Sequence, residues 1–155
     1  MLAVLAAALT LTSVAAAGPN ATKQRVAINA KVRPQGTFVL VPLRRGALTR
    51  DSGTFSAAGG SGRTVIRNGQ EVLIYTNTWN LAGKRGSLTI REQIEWVSIG
   101  RDGNRDGQDD TVATGAWKVV RGTGAYARIA GGGGNGHAGL EVGWIARYEG
   151  FLSVP

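Results

Sequence analysis

The chain has 155 residues, 24 of them glycine, no cysteine, and a net charge of +8. The lack of cysteine excludes a disulfide framework, a thiol nucleophile and a lipid-modified N-terminal cysteine. Basic residues are scattered from Arg25 to Arg147 with no aromatic-basic signature of an RNA-binding sheet, so nucleic acid is not an expected partner. The charge reads either as solvated surface or as a weak electrostatic attraction to an anionic envelope or membrane surface.

Met1 to Ala17 carries no charge, is almost wholly apolar from Leu2 to Leu11, and ends in Ala15-Ala16-Ala17. That pattern is a secretory h-region with a small-residue cleavage site, too short for the roughly 20 apolar residues that span a bilayer. The expectation is a signal peptide over 1–17 and an exported protein, secreted or held in the periplasm or cell envelope. The usual basic n-region is missing, which leaves the true start open. A flexible leader is expected over 18–24 and a single domain over 25–155.

Within that domain, Arg25–Arg33 alternates with Val26, Ile28, Ala30 and Val32 on one face. Pro34-Gln35-Gly36 turns it into a second strand over Thr37–Leu43. Turn signals at Arg44-Arg45-Gly46 and Asp51-Ser52-Gly53 bracket a short segment ending near Phe55, and Ala58-Gly-Gly-Ser-Gly62 reads as a flexible connection. Two long strands follow, Val72–Leu81 and Leu88–Ile99, joined through Ala82–Ser87. Setting Leu81 opposite Leu88 places Trp79 against Ile90, Tyr75 against Ile94 and Leu73 against Trp96, all on one face. The same register sets Asn77 opposite Glu92 in the middle of that apolar face, where a carboxylate is costly unless hydrogen-bonded.

Arg101–Thr111 reads RDGNRDGQDDT. Asp102, Asn104, Asp106 and Asp110 occupy positions 1, 3, 5 and 9 of a calcium loop, with the Gln108 carbonyl at position 7. Ala113 stands where the bidentate acid of a helix-loop-helix site belongs, and Arg101 and Arg105 offset the acids. Two readings stay open, a weak Ca2+ site and a solvated acidic hairpin tip. Beyond it, Ala113–Arg121 is a strand, Gly122-Thr-Gly124 a turn, and Gly131–Gly136 a second flexible turn. The last strand is read over His137–Val154, with Leu140, Val142, Trp144, Ala146 and Tyr148 on one face. About eight strands without helix make a sandwich or a barrel. His137, the only histidine, reads as a surface residue without a fixed partner, and no His cluster suggests a transition metal.

Gly115–Ala127, reading GAWKVVRGTGAYA, the Gly131-Gly-Gly-Gly run, Arg147-Tyr-Glu-Gly-Phe-Leu152 and the hairpin Leu81–Arg91 carry a resemblance. Over residues 36 to 152 the chain resembles exported bacterial proteins of unassigned function related to the allene oxide cyclase and dirigent superfamily. The resemblance implies an eight-stranded antiparallel β-barrel of the calycin type, with one open end and an apolar cavity dotted with polar groups. Plant members are cyclases, or guide radical coupling without a catalytic group of their own.

Three functions follow as expectations. The first is binding of a small apolar or aromatic ligand without catalysis. Asn77 and Glu92 would orient it among Tyr75, Trp79, Trp96, Trp117 and Trp144. The second is a cyclase- or dirigent-like isomerase acting on a reactive lipid or phenolic intermediate, with Glu92 as the catalytic candidate. The third is an envelope-associated structural protein. The competing structural reading is that Asn77 simply satisfies Glu92 inside a filled barrel.

Overall fold

The protein is described from a computed structural model, with the backbone covered at residues 21–31, 36–98, 100, 102, 110–140 and 143–155, and without the side chains of 139–144. The 1–17 segment and most of the Pro34-Gln35-Gly36 turn lie outside the described residues. Eight strands follow in chain order: β1 Thr22–Lys31, β2 Thr37–Pro42, β3 Asp51–Arg67, β4 Gln70–Gly83, β5 Gly86–Ser98, β6 Thr111–Gly122, β7 Ala130–Leu140 and β8 Gly143–Val154. Each pairs antiparallel with the next, and β1 pairs with β8, so one sheet closes into a ring. Among the described residues the only helical element is a 3-10 turn over Gly124–Tyr126.

Period-two patterning explains the strands that were foreseen. Val26, Ile28 and Ala30 point inward from β1, and Leu88, Ile90, Ile94 and Trp96 from β5. The β4–β5 register is the one read from Leu81 and Leu88, including Asn77 opposite Glu92. β1 begins three residues before the expected Arg25. Its Gln24 is buried and holds the 43–50 segment, donating to the Arg44 and Leu48 carbonyls and accepting from the Leu48 amide.

Three expectations about glycine are corrected. Ala58–Gly62 is not a flexible connection but part of β3, paired with Trp79–Tyr75 of β4 around an irregularity between Ala57 and Gly59. Gly59, at φ 146°, takes a conformation open to glycine there. Gly131–Gly136 is not a turn but lies in the first half of β7, paired with β8 throughout and with β6 from Gly132 onward. The strand read as His137–Val154 is two strands, the end of β7 and all of β8. A two-residue turn at Asn68-Gly69, with φ of 51° and 79°, links β3 to β4, the dipeptide that hairpins of this kind favour.

The core divides in two. The larger cluster gathers Ile28, Leu40, Phe55, Leu81, Ile90, Trp117, Tyr148 and Leu152 with their neighbours, and Ile94, Trp96 and Ala113 form a smaller one beside Leu73 and Tyr75. Asp51 clamps one end of the ring. Its carboxylate accepts from the Ser52 and Lys84 amides and, at 2.8 Å, from the Tyr126 hydroxyl. Burial works against the charge, but these donors prevail and hold Asp51 below the usual carboxylate range.

The glycines of β7 serve a large neighbour. Trp117 on β6 stands in register with Gly133, and its indole N–H donates to the Gly134 carbonyl at 3.1 Å. A Cβ at Gly133 would come within 1.9 Å of the Glu149 carbonyl oxygen, whereas one at Gly134 would meet nothing nearer than 3.8 Å. Gly133→Ala should therefore lower stability by about 2–3 kcal/mol through forced backbone movement. Gly134→Ala should cost less than about 1 kcal/mol, and paired urea titrations would separate the two.

Candidate functional site

The site begins with one residue on the wrong side of a strand. Along β5 the inward positions run Leu88, Ile90, Glu92, Ile94 and Trp96, and Glu92 is 1% exposed. A buried carboxylate persists only when its lone pairs are filled by donors. Here Oε1 accepts from Asn77 Nδ2 at 3.0 Å and from Trp79 Nε1 at 2.7 Å, both on β4. Oε2 accepts from Asn135 Nδ2 at 2.6 Å and contacts His137 Nε2 at 2.8 Å, both on β7. Between them, β6 places Gly115 in register with both Ile94 and Asn135. With no side chain at that rung, the β7 groups can reach across β6 to β5.

The cluster is strongly electrostatic. Burial alone would raise the Glu92 pKa, but the His137 contact and the Trp79 and Asn77 hydrogen bonds outweigh it and hold the carboxyl below its ordinary range. An ionised Glu92 requires a proton on His137 Nε2, which leaves Nδ1 as the second ring nitrogen. Tyr148, opposite Asn135 on β8, is fully buried, and burial together with the nearby Glu92 charge keeps its hydroxyl protonated. Its oxygen stays outside hydrogen-bond geometry with any described group, as does Asn135 Oδ1. Aromatic rings fence the cluster. Trp96 and Tyr148 meet the His137 ring edge-on at 6.0 and 5.7 Å, and Phe55 stacks on Trp79 at 4.7 Å.

His137 also lines an open cleft of about 620 Å³ between β1, β2 and β6–β8. Its apolar wall includes Ala30, Phe38, Ala113 and Ala146, and the exposed side chains of Lys31 and Arg147 border it. At the opposite end of β1, Lys23, Arg25, Arg44 and Arg45 surround a separate notch of about 290 Å³.

The structure brings Asn77, Trp79 and Glu92 together. Trp96 and Tyr75 belong to the smaller core cluster, and Tyr75 lies against β3, where a Cβ at Gly62 would meet its ring at 2.5 Å. Trp117 is buried beneath β7, 6.0 Å from Tyr148. None of these aromatic residues borders the 620 Å³ cleft. The Trp144 side chain lies outside the described residues. So do Asn104, Asp106 and Gln108 of the calcium reading; of that set only Asp102 and Asp110 are described. Among the described residues no group of three or more His, Cys, Asp or Glu is arranged to hold a metal.

His137 is not the unpartnered surface residue that its isolation in the sequence suggests. It is buried and bound to Glu92. Asn135 and Tyr148 were likewise not anticipated. The available signal was Asn135-Gly-His137, two polar residues at strand spacing, hidden by the glycine run before them. Compared with protein-family models, curated proteins and solved structures, the chain matches none.

Two expectations test the cluster's energetics. Tyr148→Phe removes a hydroxyl that has no partner in hydrogen-bond geometry among the described residues, so stability should change by less than about 1 kcal/mol or rise. Glu92 and Asp51 both have depressed folded-state pKa values. Their stabilisation is present above the unfolded carboxylate range, near 4, and is lost as pH falls through the lower folded values. Thermal melts should therefore show a plateau above about pH 5 and a steep acid decline. Glu92→Gln should flatten that decline.

Proposed function

We propose that the chain is an exported, allene-oxide-cyclase-like barrel that binds a small apolar or aromatic molecule without transforming it. The observation that carries this reading is the apolar cleft with His137 in its wall and Glu92 bound to that histidine from behind. Binding sites of small molecules commonly combine a mostly apolar concavity with a few fixed polar groups. In this chain Ala30, Phe38, Ala113 and Ala146 supply the first and His137 the second.

Binding is favoured over catalysis by the state of Glu92. All of its accepting positions face N–H donors, on Asn77, Trp79, Asn135 and His137. A carboxylate so occupied, with its pKa pushed down, is a poor acceptor for a ligand's proton, because general bases work best with pKa values near the operating pH. Its role in this reading is to fix His137. The strongly basic composition supports export to a surface rich in anionic polymers as the setting in which the ligand is met.

Naphthalene serves as a minimal apolar probe. At 100 times its dissociation constant it should stabilise the protein by about 2.7 kcal/mol, a rise of several degrees in melting temperature. Ala113→Phe, which pushes a ring into the cleft wall, should remove that rise. If native mass spectrometry finds nothing co-purifying and naphthalene leaves the melt unmoved, the binding reading is wrong.

A further inference from the structure

We infer that the cleft selects ligands whose buried polar group is a neutral hydroxyl, as in a phenol or an apolar alcohol, which donates a hydrogen bond to His137 Nδ1. This rests on the binding reading above and adds the chemical class of the ligand.

The reasoning runs from Glu92 outward. An ionised carboxylate can only accept, so the 2.8 Å contact to His137 is an Nε2–H donated to Oε2, and the 3.2 Å approach of Asn135 Nδ2 to Nε2 is that of two donors converging on the same oxygen. Asn77, Trp79 and Asn135 give the carboxylate three further, uncharged donors. The anion is therefore already served without a charged imidazole. With the proton on Nε2, the neutral ring has its lone pair on Nδ1. That atom bonds to no described residue, and it is not sealed away as Asn135 Oδ1 and the Tyr148 hydroxyl are. Since His137 is also part of the cleft wall, Nδ1 is the acceptor offered to whatever enters.

The surroundings restrict what can use it. The neighbouring wall is Ala113, Ala146 and Phe38, with Trp96 edge-on to the imidazole. A carboxylate or phosphate placed there would face a lone pair and, behind it, the Glu92 charge. An ether or ketone would set acceptor against acceptor. A hydroxyl alone gains a hydrogen bond. Lys31 and Arg147, the cations bordering the cleft, are exposed, so an anionic tail is accommodated only at the mouth, away from the imidazole.

Four probes of one shape test the selection at about pH 8: naphthalene, 1-naphthol, 1-methoxynaphthalene and 1-naphthoate. Calorimetric titration of the full chain should show 1-naphthol binding about five- to tenfold tighter than naphthalene, the worth of one net hydrogen bond. The methoxy compound should match naphthalene, and the naphthoate should bind more weakly. Glu92→Gln makes the sharpest variant. The introduced amide would donate to Nε2 and move the imidazole proton to Nδ1, so the naphthol advantage should vanish and the methoxy compound should overtake naphthalene. If that variant does not fold, His137→Phe should bind all the uncharged probes alike. Equal affinity for naphthol and methoxynaphthalene in the unaltered protein, or a preference for naphthoate, overturns the inference while leaving naphthalene binding intact. Failure of every probe to bind removes both the inference and the reading beneath it.

Discussion

One buried anion organises this ring. Glu92 is shut off from bulk solvent, so the fold must supply donors, and it does so from both sides. Asn77 and Trp79 reach it from β4, while Asn135 and His137 reach it over β6 from β7. Four consecutive strands are thereby fixed relative to one another. A slip of one residue in any of them would turn these side chains outward and leave the carboxylate bare. An apolar residue at this point would tolerate small shifts that the carboxylate does not, since a half-served buried charge costs far more than a loose methyl group.

The glycines follow from the same demand for space. Tyr75 and Asn77 lie over β3 because Gly62 and Gly60 have no side chain, and Gly133 lets β7 lie close against the Glu149–Gly150 backbone of β8. Glycine ordinarily weakens a strand. Here the loss is offset where a bulky or polar neighbour occupies the vacated volume and where each glycine strand is held by ladder hydrogen bonds. β7 has such bonds on both flanks over Gly132–Ala138.

What could be read from the sequence divides along that line. The β4–β5 register and the Asn77–Glu92 pairing were legible because Leu73, Tyr75, Trp79, Leu88, Ile90 and Ile94 give a period-two signal with a single consistent alignment. β7 was not legible. A run of glycines has no alternation to detect, and its composition matches a loop as well as a strand. Reading Gly131–Gly136 as a turn removed Asn135 from the sheet, and starting the last strand at His137 with Leu140, Val142 and Trp144 on one face left His137 on the other, so half of the Glu92 donors were missed. Tyr148 was placed on the correct inward face, but its proximity to Glu92 is a contact across the ring. No local pattern encodes that.

The cluster is also uneven, and the unevenness has a direction. On the β4 side the two donors near Glu92, Asn77 Nδ2 and Trp79 Nε1, both reach the carboxylate. On the β7–β8 side the rung pairing Asn135 with Tyr148 leaves one oxygen of each without a described partner, both sealed from solvent. Two such groups cost energy that a purely apolar rung would not. They are linked to Glu92 by Asn135 Nδ2, which cannot serve the carboxylate without turning its own oxygen away from it. The orphaned acceptor is thus a consequence of holding the anion, and the Tyr148 hydroxyl, kept protonated by burial and by that same anion, is a donor within the same rung. The polar interior therefore runs from a saturated carboxylate, through a tautomer-fixed imidazole, to the cleft. The group it presents to the cleft is the histidine rather than the acid that first marked the site.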